Sequence, residues 1–458
     1  MDIKKIPQKF LENMKELLNE KDYNNLLKCY SLDYTKTLRF NSTKNFDIQQ
    51  ILKDLNISPL NKIPYANAYK IPTETKLGNH PYHHAGLFYI QEASAMLPAI
   101  SVSYNSNDIV LDMCASPGGK SSQVAEQIPN GILVSNEIIT NRALILQENM
   151  IRLGFKNNII ISTTPENLTK LGAIFDKVLV DAPCSGEGLF RKEENSILQW
   201  YDGINLMNAQ RQLKILDYAS MLVKPNGKII YSTCTFSKIE NEEVIEKFLS
   251  SHTNFKLGKI SEDVIQNTTS GLNGVGRRVF PFSSIGEGQF MCVLENCSSE
   301  SPFIQTTKNN MQKLSQKQLK IVNDWINDNL EIKLENLQCY NETIYYLPNS
   351  NINTKNIYTL KYGVILGKIE KDRFIPNHNL FTSFGLNFKH ILNLNLQDER
   401  VKKYLIGESF EINENIPNGY ASICVNSLVL GGIKITQSRA NNLYPKHLRI
   451  KNANQFVS

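Results

Sequence analysis

"NDIVLDMCASPGGKSS", residues 107–122, decides the fold. A short apolar run from Ile109 to Leu111 ends on Asp112 and breaks into a turn holding Gly118 and Gly119. The helical pattern "GKSSQVAEQI" follows. Strand, glycine turn and helix form the opening unit of a nucleotide-binding α/β sheet, where glycines let the backbone pass close over a ligand. The letters Gly119-Lys120-Ser121 also invite comparison with a phosphate-binding P-loop, G-x-x-x-x-G-K-[ST]. That comparison fails. The position of the loop's first glycine is Cys114, and Pro117 removes one of the amide donors that a phosphate nest needs. The turn predicts a nucleoside-bearing ligand with little or no phosphate.

Downstream, strands and helices alternate. "GILVSNE" is a second strand, and "TNRALILQENMIRLGF" is a helix with Thr140 as its expected cap. "NNIIIST" and "DKVLVDAP" are the third and fourth strands. The long helix "LMNAQRQLKILDYASMLVK" is read as closed by Pro225-Asn226-Gly227, ahead of a fifth strand, "KIIYSTC", and the helix "KIENEEVIEKFLSS". "RRVFPF" and "GQFMCVLE" read as late strands. Near-continuous apolar strands between helices predict a parallel sheet covered on both faces.

Upstream, residues 2–29 read as helices, "KTLRFNSTK" (36–44) as a strand leaving into a turn, and "HAGLFYIQEASAMLPAI" as a turn and then a helix. Beyond residue 296, "CSSESPFIQTTKNNMQ" is polar and reads as a linker. The helix "SQKQLKIVNDWI" follows, then short strands between Gly- and Asn-rich turns. The expected organisation is a small N-terminal α+β domain over 1–84, an α/β domain over 85–298, a linker over 299–312 and a C-terminal α+β/β extension over 313–458.

The chain has 458 residues and a net charge of +6. Beyond Leu430 stand five basic residues, Lys434, Arg439, Lys446, Arg449 and Lys451, and no acidic one, which suits contact with a polyanion. The eight cysteines form no C-x-x-C pair, and their spacing suits neither a zinc site nor a disulfide scaffold. No run of about 18 apolar residues offers a membrane span, and the N-terminus lacks a signal-peptide core. A cytoplasmic protein with free thiols is expected.

Ligands of an open parallel sheet lie outside the carboxyl ends of its strands. Strand one ends at Asp112-Met113-Cys114 and strand two at Asn136-Glu137. Strand three ends at Thr163-Thr164, strand four at Asp181-Ala182-Pro183-Cys184 and strand five at Thr233-Cys234. Glu137 stands where dinucleotide folds place the carboxylate that binds ribose hydroxyls. With a phosphate-poor turn, the natural candidate is S-adenosylmethionine. Most lone cysteines are inert buried hydrophobes, but Cys184 and Cys234 both face this rim. A thiolate that adds to carbon 6 of a pyrimidine makes carbon 5 a nucleophile. Asp181 is placed to bond ring nitrogen 3. After methyl transfer a base must remove the carbon 5 proton, and a second cysteine is a candidate for that step.

"DMCASPGGK", "VSNE", "VDAPCSGEGLFRK" and "YSTCTFSKIENE" resemble, in order, the motifs of the Sun-type RNA 5-methylcytosine methyltransferases. "LRFNSTK", "GLFYIQEASAML" and "GVGRRVFPFSSIGEGQFMCVLE" resemble that family's flanking segments. "NSLVLGGIKITQSRANNLYPKHLRI" resembles the C-terminal RNA-binding extension of the bacterial 16S rRNA cytosine-5 methyltransferase F subgroup. The resemblance implies a Rossmann-like S-adenosylmethionine-dependent core with a mainly parallel seven-stranded sheet and a PUA-like extension. It implies that Cys114, Ala115, Ser116, Pro117, Gly118, Gly119 and Lys120 line the cofactor site, with Glu137 on the ribose. Asp181 would lie by the methionine end and the target base, and Lys120 near the cytosine. Cys234 would be the nucleophile and Cys184 would assist release. The family's acidic adenine contact is missing after strand three, where Thr164 is the positional equivalent. RNA is the implied partner, 16S rRNA ahead of tRNA, and a monomer is expected.

Two other classes compete. A P-loop NTPase accounts only for Gly119-Lys120-Ser121. A non-catalytic RNA-binding protein accounts for the basic tail, but not for two thiols and Asp181 on one rim.

Overall fold

The computed structural model describes residues 5–299, 311–347 and 352–451. Most of the expected linker, 300–310, lies outside the described residues. Three N-terminal strands, β1 (Lys36–Phe40), β2 (Ala68–Ile71) and β3 (Phe88–Ile90), form an antiparallel sheet in the order β2-β1-β3. Two helices precede it, Gln8–Leu17 and Glu20–Cys29, the second capped by the Asn19 side chain on the Asp22 amide. The apolar face of the first helix is spent on packing. The Phe10 ring lies 5.0 Å from Phe190 and 6.4 Å from both Trp200 and Phe236.

"GLFYI" departs from its reading as the lead into a helix. Its aromatic and β-branched residues pair with β1, Phe88 opposite Phe40 and Ile90 opposite Leu38. Only single 3₁₀ turns follow, at Ser94–Met96 and Pro98–Ile100. The N-terminal sheet thus takes its third strand from beyond position 84.

The central sheet is built on five parallel strands: β4 (Ile109–Asp112), β5 (Ile132–Asn136), β6 (Asn158–Ile161), β7 (Phe175–Asp181) and β8 (Val223–Thr233), in the order β8-β7-β4-β5-β6. Their residues are buried almost throughout, as expected for strands covered on both faces. Pro225-Asn226-Gly227 does not close the preceding helix, which ends at Ser220. It lies within β8 as a bulge, Asn226 taking a φ of 60°, and the pairing register to β7 shifts there. Four antiparallel strands follow: β9 (Phe255–Leu257), β10 (Thr269–Ser270), β11 (Arg277–Val279) and β12 (Gln289–Asn296). β12 pairs with β8.

The sheet has ten strands, against the seven expected. The additional ones are short edge strands, and one of them comes from the C-terminal region. Strand Thr359–Tyr362 pairs antiparallel with β6 and completes that edge. Lys361, on this strand, is fully buried, and its ammonium donates to the carbonyls of Phe155 (3.3 Å) and Asn158 (3.4 Å). Burial lowers its pKa to about 7.

The rest of the C-terminal region forms two five-stranded sheets. The first packs on helix Gln316–Asn329, which opens with a capping box between Ser315 and Gln318. The second is a PUA-like half-barrel over Ile391–Asn442. Among the described residues no helix is long and apolar enough to cross a membrane.

Candidate active site

The turn after β4 is fastened on every side. Met113 N donates to Leu179 O and Ala115 N to Asn136 O. Arg142 Nη2 donates to Ser116 O (3.2 Å) and Asn149 Nδ2 to Pro117 O (3.0 Å). Gly118 has a φ of 111°, a conformation that disfavours any side chain. A Cβ on Gly119 would meet Gln91 and Tyr89 of the N-terminal domain at 3.3–3.4 Å. The Ser116–Pro117 peptide is cis.

Three carboxylates border this turn. Asp112 is buried; one oxygen accepts from Ser121 Oγ at 2.7 Å and the other has no partner. Burial, with nearby Asp181 adding to it, pushes its pKa up to about 7. Glu137 is also buried, accepting from the Ile139 amide (3.0 Å) and pairing with Arg142 (3.3 Å). It thereby serves the start of helix Thr140–Leu153, where Thr140 is the first helical residue instead of the expected cap. Asp181 accepts from Ser232 Oγ and from Lys120 Nζ, each at 2.7 Å. Burial works against the charge on Lys120, but Asp181 outweighs it and the pKa is raised; Cys234 acts in the same direction.

The Lys120–Asp181 pair bears on the ligand. The lysine of the glycine turn is already matched, so the turn offers no free lysine to a phosphate. A phosphate-free nucleoside carrying positive charge suits three carboxylates, one with an unpaired buried oxygen. S-adenosylmethionine, whose sulfonium is a cation, fits. The backbone of 113–118 and Glu137 would hold it.

The two rim thiols meet. Cys184 Sγ and Cys234 Sγ are 3.3 Å apart. The hydrogen bond to Cys234, with burial, holds the Cys184 pKa well above its ordinary value. Cys114 is a different thiol: burial raises its pKa too, with no comparable thiol partner. Beneath Cys184 and Cys234, a buried polar network joins their loops. Ser185 Oγ lies 2.8 Å from Thr235 Oγ1. Thr235 Oγ1 donates to Glu187 (2.9 Å), and the Ser185 amide donates to Glu240 (3.0 Å). Asn205 Nδ2 reaches Ser185, Glu187 and Glu240 at 3.2, 2.8 and 2.8 Å. The backbones also touch: Gly188 N donates to Cys234 O at 2.9 Å.

Thr164 is exposed, three residues beyond the end of β6. Its hydroxyl oxygen accepts from the Asn167 amide, so it caps the short helix Pro165–Leu168. Ser162 stands nearer the Glu137 rim, its hydroxyl 3.4 Å from that of Thr140. Sequence reading placed Asn136 on the rim but gave it no role; its amide ties Met113 O (3.1 Å) to Thr163 O (3.2 Å) and so links three strand ends. Ser232 was missed; its place next to the end of β8 is the one signal that would have picked it out.

A parallel sheet with a glycine turn, strand-end carboxylates and a thiol pair at its carboxyl rim defines a Rossmann-like methyltransferase. The model of the 16S rRNA methyltransferase RsmB/F family matches residues 99–295. Three RsmF models match the flanks: the N-terminal domain at 6–93, the first C-terminal domain at 323–384 and the PUA domain at 391–450. The chain belongs to the RsmB/F methyltransferase family. Ribosomal RNA small subunit methyltransferase F of Vibrio vulnificus is 26% identical, covering 98% of this chain and 99% of its own. The Shewanella sediminis protein of that name is 37% identical over 40% of this chain and 39% of its own. Among solved structures, a methyltransferase homolog protein from Pyrococcus horikoshii aligns with a TM-score of 0.51 and 24% identity, over 64% of this chain and all of its own. NSun6 from Pyrococcus horikoshii, crystallised with SFG, shares the fold at a TM-score of 0.57 and 19% identity, over 64% and 99%.

Proposed function

We propose that this protein methylates carbon 5 of a cytosine in 16S rRNA, through a covalent bond between Cys234 and carbon 6 of the base. The observation that carries this reading is the 3.3 Å approach of the Cys184 and Cys234 sulfurs beside the Lys120–Asp181 pair. A cytosine ring is too electron-poor at carbon 5 to attack a methyl donor unaided. Cys234 Sγ gives up its proton to solvent and, as thiolate, adds to carbon 6, pushing electron density toward ring nitrogen 3. That nitrogen takes a proton through the Asp181 carboxyl group, which Lys120 Nζ supplies. Carbon 5 is now the nucleophilic end of an enamine. Bound S-adenosylmethionine supplies the electrophilic methyl group.

Release reverses the addition. A base takes the carbon 5 proton, the carbon 5–carbon 6 double bond re-forms, and the carbon–sulfur pair returns to Cys234. Nitrogen 3 then gives up its proton. Cys184 is read as the acceptor of the carbon 5 proton: its thiol, protonated in the resting site, first passes its own proton to solvent and then takes that one. The network through Ser185, Thr235, Glu187 and Glu240 keeps the two sulfurs in register.

Near full-length similarity to proteins named for the small-subunit RNA supports rRNA over tRNA. The target base must be accessible or flipped from its stack to reach a strand-end thiol. Lys434, Arg439 and Lys446 are exposed on the PUA-like half-barrel and suit phosphate contacts. Arg449 is tied back to Tyr444 O.

Bisulfite sequencing of rRNA and tRNA from cells with and without the gene tests the reading. A gene-dependent methylcytosine in 16S rRNA is expected; one confined to tRNA would replace the substrate. Cys234→Ala should abolish methylation. Cys184→Ala should leave a protein–RNA adduct stable on denaturing gels. Exchange of these two phenotypes would exchange the roles.

A further inference from the structure

A second site lies on the far side of the sheet from the thiols. Gly154–Asn157 precede β6 and Pro129 precedes β5, so they stand at the amino ends of the parallel strands. Around them is a cavity of roughly 360 Å³, closed by chain from each part of the protein: 43–45, 154–157, 382–387 and 427–429. Two lysines line it, Lys44 and Lys156, and no carboxylate among the described residues does. The Lys44 ammonium makes no hydrogen bond or ion pair with any described residue. The exposed Lys156 ammonium lies 4.2 Å over the Phe384 ring and makes no ion pair with any described residue.

The polar lining is turned the same way. Ser383 Oγ accepts from Asn379 Nδ2 at 3.1 Å and Ser427 Oγ from Asn393 Nδ2 at 3.3 Å. Each hydroxyl proton is therefore free to be donated elsewhere. Burial and the neighbouring charge of Lys156 lower the Lys44 pKa to about 8; the Cys424 thiol acts against this and the Arg152 guanidinium adds to it. Charge held in such a place without a counter-ion is costly, and no carboxylate of the lining offsets it.

We infer that this cavity is a phosphate site, with Lys44 and Lys156 as its cations and the Ser383 and Ser427 hydroxyls as donors. The phosphate has two possible sources. It is either a backbone group of the RNA substrate, bound far from the target base, or a free anion that holds the four segments together. The first source rests on the reading of the protein as an RNA methyltransferase; the anion site itself does not.

Two measurements on the full-length protein separate the cases. Inorganic phosphate and pyrophosphate are titrated calorimetrically into wild type, Lys44→Met, Lys156→Met and Ser427→Ala. Each lysine variant should bind about tenfold or more weakly, the size of one charge-assisted hydrogen bond. Ser427→Ala, which leaves both charges in place, serves as the milder variant if a lysine variant does not fold. Binding of a 16S rRNA fragment is then followed against salt. The slope of log K on log salt should fall by about 0.7–0.9 for each phosphate that the protein no longer neutralises. S-adenosylmethionine affinity, and methylation at saturating RNA, should stay at wild-type values in the lysine variants. A reduced slope assigns the site to RNA. Phosphate binding with an unchanged slope assigns it to a free anion. No lysine-dependent phosphate binding together with an unchanged slope overturns the inference. Loss of methylation in wild type would count against the proposed function and leave the phosphate titration standing.

Discussion

Replacing Gly188 by alanine should slow the chemistry without weakening either ligand. Gly188 does not have a positive φ, so its backbone accepts a side chain without strain; the obstacle is space. An added Cβ would lie 2.6 Å from both Gly288 Cα and Gly288 O, and 2.8 Å from Cys234 O. Ordinary contact begins at 3.4 Å, so those atoms must retreat by about 0.6–0.8 Å. They cannot retreat freely. Gly188 N holds Cys234 O at 2.9 Å, and Gly288 N holds Gly188 O at 3.1 Å. The displacement falls on the backbone of the proposed nucleophile. Overpacking of this kind costs roughly 1–3 kcal/mol of stability. A misplacement near 1 Å at a reacting centre costs on the order of 100-fold in rate. Single-turnover methylation should therefore drop by about two orders of magnitude in Gly188→Ala, with S-adenosylmethionine and RNA affinities near wild type. Gly78→Ala, where nothing lies within 4 Å, is the control. A folded Gly188→Ala protein with wild-type single-turnover rate would refute the claim that this contact positions Cys234.

Three further outcomes follow from other parts of the molecule. The raised pKa of Asp112, about 7, means that its carboxyl is protonated below that pH and anionic above it; a cationic cofactor prefers the anion. S-adenosylmethionine affinity should rise from pH 6 to 8, by up to about tenfold per unit below the pKa, and calorimetry on Asp112→Asn should show a flat profile. Peroxide should join the two thiols 3.3 Å apart, taking one hydrogen from each and leaving two waters. Peptide mass spectrometry should find a Cys184–Cys234 disulfide, with activity restored by a thiol reductant; inactivation without that cross-link would contradict the geometry. For Lys361 the folded pKa, about 7, lies below the ordinary 10.5, so the unfolded chain binds the extra proton between them. Stability should therefore be lost as pH falls from about 10.5 to 7, and denaturant titrations of Lys361→Met should show a shallower dependence.

The strand-end placement was legible because each residue is local to its strand. Asp112, Glu137, Asp181, Cys184 and Cys234 each close an apolar run, and a parallel sheet brings such ends together whatever the distance between them in the chain. Cys114 and Pro117 excluded a triphosphate for the same local reason. What stayed hidden depends on pairings across the chain. Nothing near Lys120 announces that Asp181 neutralises it, 61 residues away. Arg39, in the "LRFNSTK" segment, carries no local sign of its partners. It is buried against Glu126 and Ser122, on the helix that follows the glycine turn. The lone lysines Lys44 and Lys361 give no periodic signal at all; only tertiary burial sets them apart. Pro225-Asn226-Gly227 misled because a turn triplet marks a bulge inside a strand as well as a helix end.

Strand Thr359–Tyr362 also sets a timetable for synthesis. β6 ends at Ile161 and its edge partner begins at Thr359, so a ribosome adding about 5–20 residues per second needs roughly 10–40 seconds to deliver the second after the first. Through that interval the emerging catalytic sheet carries an open border of "NIII", with its amides and carbonyls unpaired and ready to accept a foreign strand. The edge stays unpaired until the C-terminal region arrives. A gene fragment ending near residue 298 would keep that border open for good, and its product would tend to aggregate even though every residue of the proposed catalytic set is present.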